Sequence, residues 1–257
     1  MLEPFTIKID AFGTDRRVTV YLPKEYQTSG KSYPVLYMHD GQNVFLDEEA
    51  SGGISLGLQE YLEKKDLDVI VAAIDSSRET NGRVNEYCPW QNGAYSESIL
   101  RFRDPSGGKG KEYAEFVTEK LKPYMDQTYK TDPGKSYMAG ISLGAMITAY
   151  IFCRYPGVFK RAALLSPAFY RNQEEMEELI AKSDLSGIEK IYMDCGTNEG
   201  GDDDRISQEC LSWNRTVYSL LKEKEVKLRY EIIPGALHEY TYFRKRMPEV
   251  LSFLLND

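Results

Sequence analysis

The chain has 257 residues, 42% hydrophobic and 28% charged, with a net charge of −8 and a pI near 5.1, a composition that fits one large soluble α/β domain. The acidic balance argues against a nucleic-acid partner, which calls for clustered cations. With no run of about eighteen apolar residues and no basic-then-apolar leader after Met1-Leu2-Glu3-Pro4, no membrane association and a cytoplasmic location are expected.

Taken in chain order, Phe5 to Asp10 and Arg16 to Leu22 alternate around the turn Phe12-Gly13-Thr14-Asp15 and predict an antiparallel hairpin. Tyr33 to Met38 is a compact apolar run of the kind that forms a strand covered on both faces, and it ends at His39-Asp40-Gly41-Gln42-Asn43. Helical spacing over 54–65 and a second apolar strand over 68–74 complete a strand-helix-strand unit. Residues 78–110 are polar and glycine-rich and predict a long active-site loop carrying Tyr87, Trp90 and Tyr95. A helix follows over 111–129, with a kink expected at Pro123.

Residues 136–141 are expected as a buried strand and 145–155 as an apolar helix stopped by Pro156-Gly157. A further strand over 161–166 leads into a small cap segment, about 166–187, that includes the acidic amphipathic stretch 173–182. Strands over 188–195 and 227–233 and helices over 206–224 and 241–255 close the chain. Strands alternating with helices imply a mostly parallel sheet with helices on both faces, and ligands in such sheets bind at the carboxyl ends of the strands.

That rule draws attention to Gly140-Ile141-Ser142-Leu143-Gly144, a G-x-S-x-G pattern between a strand and a helix. The chemistry needs a serine raised on a sharp strand-to-helix turn, and the two glycines allow the chain to bend that tightly. A serine hydroxyl also needs a base, and the base needs an orienting acid. Of the two histidines, His238 follows the last strand, and the order serine, acid, histidine favours it over His39, which precedes the serine. For the acid, Glu199 in Gly196-Thr197-Asn198-Glu199 is the preferred candidate, with Asp202, Asp203, Asp204 and Asp194 as competitors. The oxyanion needs two backbone N–H groups, expected from Leu143 at the helix start and Gln42 in the loop after the strand ending at Met38.

These pieces, in order, resemble the putative esterase (esterase D-like) family of the α/β-hydrolases, with its feruloyl, acetylxylan and siderophore esterases and S-formylglutathione hydrolases. The resemblance rests on Arg17 to Pro23, Tyr33 to Asn43, Asn85 to Trp90, Ala139 to Gly144, Leu165 to Phe169, Asp194 to Glu199 and the loop at His238. It implies an α/β-hydrolase fold and hydrolysis of a small-molecule ester through an acyl-enzyme at Ser142, with His238 shuttling the proton and no cofactor or metal. Two departures stand out: Ala145 replaces a common glycine after the elbow, and Asp40-Gly41 replaces a histidine-glycine pair. Thioester hydrolysis or acyl transfer would use the same site, and a non-catalytic ligand-binding role is the remaining alternative. Trp90, Tyr87, Phe169 and Trp213 are expected around the substrate, while Cys88, Cys153, Cys195 and Cys210 are too scattered for a C-x-x-C site and are expected to be reduced and structural. The acyl group, the alcohol and the oligomeric state are left open.

Overall fold

The computed structural model describes residues 1–256, so Asp257, the last residue of the expected domain, lies outside the described residues. In chain order the elements are β1 (Leu2–Ile9), β2 (Thr14–Tyr21), β3 (Tyr33–His39), α1 (Leu58–Lys65), β4 (Ile70–Ile74), α2 (Gly82–Tyr87), α3 (Ala94–Leu100), α4 (Gly110–Glu115), α5 (Lys122–Thr128), β5 (Thr131–Ile141), α6 (Leu143–Arg154), β6 (Arg161–Leu165), α7 (Gln173–Lys182), β7 (Lys190–Gly196), α8 (Asp204–Lys222), β8 (Lys227–Ile233) and α9 (Tyr240–Leu255). The strands form one eight-stranded sheet in the order β1-β2-β4-β3-β5-β6-β7-β8. β2 is antiparallel to both of its neighbours, β1 and β4, and the pairings from β4 to β8 are parallel.

Alternation along the buried strands divides the core into two layers. Leu36, Met38, Ala139, Ala163 and Leu165 face α1 and α9, whose Leu62, Met247 and Leu251 complete that layer. Val35, Tyr37, Met138, Leu164 and Met193 face the opposite side, where α6 and α8 contribute Met146, Ile151, Val217 and Leu221. Because both faces are covered, β4, β6 and β7 are buried along their whole length, the charged Arg161, Lys190 and Asp194 included.

The expected elements form, with three differences. Residues 78–110 are not a plain loop: they fold into α2 and α3, where Tyr87 and Ile99 insert into the core and give the segment an apolar anchor. The helix near Pro123 widens over Phe116–Leu121 into a π-helical turn before α5, so a proline without an N–H donor sits just past a local unwinding. The helix expected from residue 54 starts only at Leu58, after Gly57 adopts the left-handed region at φ 63°.

The antiparallel placement of β2 carries the β1–β2 turn to the end of the sheet where the parallel strands finish. There the buried Arg16 guanidinium forms a two-pronged pair with Glu86 of α2 at 2.6 and 2.8 Å and donates to the Asp75 carbonyl at 2.7 Å. The loop after β3 is pressed against β4: a Cβ on Gly41 would lie 2.6 Å from the Ala73 backbone. Backbone cannot yield as a side-chain tip can, so Gly41→Ala is expected to lose more than about 3 kcal/mol in urea unfolding. Gly30→Ala, with nothing within 4 Å of its added Cβ, should stay within about 0.5 kcal/mol of wild type.

Candidate active site

Ser142 stands where β5 passes into α6, with φ 59° and ψ −121°, a conformation that non-glycine residues rarely occupy. Its N–H donates to the Leu165 carbonyl at 2.9 Å, and its own carbonyl accepts from Ala145, Met146 and Ala168 at 3.1 Å each. A Cβ on Gly140 would sit 2.1 Å from the Gly144 carbonyl oxygen, so only glycine lets strand and helix approach this closely. Ala145 is fully buried in the packing beneath the turn, which accommodates its methyl group. Leu143 is the first residue of α6, where N–H groups have no acceptor inside the helix.

On the other side of Ser142, the turn Gly41–Asn43 is closed by bonds donated by Asn43 and Val44, not by Gln42. The Gln42 side chain clamps Ser76, donating to its hydroxyl at 2.8 Å and accepting from its N–H at 3.0 Å. Asp40, left-handed at φ 56°, receives both prongs of Arg83 at 2.6 and 2.8 Å, and its N–H donates to the Tyr87 hydroxyl at 3.1 Å. The Asp40-Gly41 departure thus brings its own partner, an arginine from α2. His39 is buried beside the Tyr113 hydroxyl at 2.9 Å, has no carboxylate bonded to it, and is pushed down to about 4 by burial. It is a neutral part of the scaffold.

His238 follows β8, and its Nδ1 lies 2.5 Å from Glu199 Oε2. The two loops are stitched together: Asn198 N–H donates to the Ala236 carbonyl at 3.0 Å and Gly235 N–H to the Thr197 hydroxyl at 2.8 Å. A Cβ on Gly196 would lie 2.4 Å from the Ala236 carbonyl oxygen, so this glycine permits the approach. The other oxygen of Glu199 accepts from Gly196 N–H at 2.5 Å and Ser166 Oγ at 2.6 Å. Burial alone would raise the Glu199 pKa, but the bonds from His238, Ser166 and Gly196 outweigh it and hold the carboxyl below its usual range. None of the competing aspartates bonds His238. Asp203 caps α8 by accepting from Ile206 N–H at 3.1 Å, and Asp202 and Asp204 are exposed.

Asp194 is fully buried behind Glu199. It accepts from Arg246 Nη1 at 2.9 Å and from Ser166 N–H at 3.1 Å, while Arg246 also donates to Ser166 Oγ at 3.0 Å and lies 3.9 Å from Glu199. One arginine therefore stands between two carboxylates, with Ser166 bridging them. The sequence carried two signals for this network: Ser166 ends a buried strand, and Arg246 interrupts the apolar face formed by Phe243, Met247 and Val250.

Two hollows meet at Ser142 and His238. One, of about 280 Å3, is apolar and lined by Ile99, Leu100, Tyr170, Ile206, Cys210 and Trp213. The other, of about 520 Å3, is polar, with Asp40, Gln42, Ser76, Arg78, Arg83 and Tyr240. Trp213 is thus at the site, donating its Nε1–H to the Pro167 carbonyl at 3.0 Å and packing on Tyr170. The other expected aromatics are not. Tyr87 is sealed between His39 and Tyr113, Phe169 is wholly buried in the core, Trp90 lines a separate hollow with Lys111 and Tyr150, and Tyr95 donates to Glu209 at 2.9 Å. Their places are taken by Tyr170 and by aliphatic side chains of α3 and α8, which carry no individual signal in the sequence. The four cysteines are unpaired; Cys195 and Cys210 line the apolar hollow. Among the described residues no His, Cys, Asp and Glu group could hold a metal ion, and no helix is long and apolar enough to cross a membrane.

The sheet, the turn at Ser142 and the helices on both faces give the chain the α/β-hydrolase fold. Residues 9–254 match the family model described as "Putative esterase"; the chain belongs to that family and is an esterase. It is 29% identical over 246 residues to the Bacillus subtilis protein named "Uncharacterized protein YbbA", covering 93% of this chain and 92% of that one. It is 24% identical to an endo-1,4-beta-xylanase/feruloyl esterase of Xylanibacter ruminicola, over 98% of this chain but 31% of the other. Among solved structures, siderophore hydrolase EstA of Aspergillus nidulans superposes with a TM-score of 0.79 at 16% identity, covering 98% of this chain and 93% of that one.

The Arg246 network makes a pH-dependent contribution to stability. Burial raises Asp194 from 3.8 to about 6 even with Arg246 beside it. Across that window the native state holds a proton that the unfolded chain has released, so this group's contribution falls as pH rises. Arg246→Met removes the countercharge and lifts Asp194 further. Its stability deficit in urea unfolding should reach about 3–5 kcal/mol near pH 8 and shrink toward pH 4; a deficit independent of pH would contradict the arrangement.

Proposed function

We propose that this esterase is a serine carboxylic ester hydrolase that works through an acyl-enzyme on Ser142. The observation that carries the reading is the 2.5 Å contact between His238 Nδ1 and Glu199. With Nδ1 held by a carboxylate, the proton-accepting nitrogen is Nε2, which takes the Ser142 proton as Oγ attacks the ester carbonyl. The Glu199 charge then stabilises the imidazolium. Negative charge developing on the carbonyl oxygen meets the N–H groups of Leu143 and Gln42. The tetrahedral intermediate collapses, His238 returns the proton to the departing alcohol, and water enters by the same general-base route to release the acid.

The two hollows divide the substrate. The acyl group occupies the apolar side, whose volume of about 280 Å3 lies just below the roughly 300–1,000 Å3 common for ligand pockets, which suits a short acyl chain or a single aromatic ring. The alcohol occupies the polar side, from which it departs and water arrives. Feruloyl and siderophore esters, named for relatives of this chain, are therefore the first acyl and alcohol combinations to assay, together with thioesters. Residues 1–257 act as one catalytic domain, without a cofactor, on a small molecule.

Ser142→Ala is expected to abolish hydrolysis of p-nitrophenyl acetate and labelling by a fluorophosphonate while leaving the circular dichroism unchanged; labelling that persists would overturn the assignment. Glu199→Gln should lower kcat by about 10^3- to 10^4-fold, whereas Asp202→Asn should stay within about twofold of wild type.

A further inference from the structure

Among the described residues, six that are not glycine have a positive φ. Three of them, Asp66, Asn81 and Arg101, stand at helix ends. The other three, Asp40, Ser142 and Ser166, each come directly after one of the adjacent strands β3, β5 and β6. Ser142 carries the nucleophile and Asp40 opens the loop that holds Gln42. Ser166, at φ 41°, does neither. A side chain enters this region at a cost, and Pro167 restricts Ser166 further toward extended backbone. Such strain persists where the surroundings over-determine it, and it gathers at functional positions.

Ser166 is held on three sides. Its N–H donates to the Asp194 carbonyl and to Asp194 Oδ1, both at 3.1 Å. Its buried hydroxyl accepts from Arg246 Nη1 at 3.0 Å; an arginine has only donors, so the single hydroxyl proton goes to Glu199 Oε1 at 2.6 Å. Its neighbours grip the serine turn, the Leu165 carbonyl accepting from Ser142 N–H at 2.9 Å and Ala168 N–H donating to the Ser142 carbonyl at 3.1 Å. The segment 165–168 therefore holds both backbone polar groups of Ser142 and one oxygen of Glu199. Arg246 itself stops 3.9 Å short of Glu199, and its Nη2 makes no hydrogen bond. The Ser166 hydroxyl is thus the hydrogen-bonded link from that cation to Glu199, and it leaves Oε2 to His238.

We propose that Ser166 is a positioning residue of the reaction: its hydroxyl holds the Glu199 carboxylate on His238 while its segment fixes the turn of Ser142, which keeps acid and nucleophile in one register. The inference rests on the serine-esterase reading of Ser142, His238 and Glu199. The groups that face Glu199 are His238 after β8, Arg246 on α9 and Asp194 on β7, with Cys195, Cys210 and Tyr230 beyond them. Burial raises the two thiols and the phenol, Cys210 to about 12, so these three stay neutral. On acidification the Glu199–His238 pair takes up a proton and passes from one negative charge to none. The hydroxyl donates to the charged form, so its loss favours uptake of that proton at a higher pH. Asp194 keeps Arg246 and the backbone N–H of residue 166 when the hydroxyl is removed.

Ser166→Ala removes the hydroxyl alone, and Ser166→Gly removes it while relieving the positive φ. With p-nitrophenyl acetate both variants should lose about tenfold in kcat, keep KM within about twofold, and move the acid limb of kcat/KM up by about half a pH unit. The glycine variant should be the more stable of the two in urea, and it decides the question if Ser166→Ala fails to fold. In a Glu199→Gln background either change should cost less than about twofold, because the hydroxyl acts through Glu199. Ser166 also lines the apolar hollow, so a residue that served only as pocket wall would change KM and leave kcat and the acid limb where they are. That result, a kcat loss that follows stability and not the hydroxyl, or a full tenfold loss in the Glu199→Gln background would overturn the inference. If wild type does not hydrolyse p-nitrophenyl acetate, or Ser142→Ala keeps the wild-type rate, it is the serine-esterase reading that fails, so the two failures are distinguishable.

Discussion

Ser142 is held in a backbone conformation that costs of order 1–3 kcal/mol, and the close approach of β5 and α6 around it is what the rest of the site is built on. Gly140 leaves no side chain between the strand and the Gly144 carbonyl, and Gly144 in turn packs near His39 and Asp40. The turn is over-determined by bonds to Leu165 and Ala168 on the neighbouring strand and its loop. The hydroxyl therefore projects where the two hollows meet, beside helix N–H groups that have no acceptor of their own.

The electrostatics behind His238 solve a harder problem, because two carboxylates are buried a short distance apart. Glu199 and Asp194 share Arg246 and Ser166, and each also takes a backbone N–H. Buried charges survive only when paired and hydrogen-bonded, and here the cation lies between them. Glu199 can then stay ionised beside the imidazole, whereas Asp202 and Asp204, although close in sequence, remain solvated on the outside of the same loop.

The cleft has a chemical polarity. The apolar side is built from α3, α8 and the segment after β6, and the polar side from the loops after β3 and β4. Since β2 runs antiparallel to the rest of the sheet, the N-terminal hairpin turn also reaches this end of the molecule and extends the polar side outward. A hairpin that reads as an edge strand thus also helps to line this end of the sheet.

The parts legible in the sequence are those governed by local rules. Alternation and unbroken apolar runs marked the strands because a side chain's face follows from its position along a strand. Glycines at 140 and 144 marked the elbow because the strand and helix approach too closely at 140 for a Cβ and leave little room for one at 144, and the loop order put Glu199 and His238 after it. The aromatics were not legible in this way. Tyr87, Trp90 and Phe169 share composition and loop context with true pocket residues, but α2 and the core packing around it turn them away from Ser142, and Tyr170, Ile206 and Leu100 take their place. Arg246 shows the same limit, since it is paired across 52 residues with Asp194. The sequence by itself determined the strands, the order of the loops and the serine's turn, because those depend on neighbours along the chain. The tertiary structure alone decided which side chains share a cavity and which charges find partners, because those depend on contacts between segments far apart in the chain.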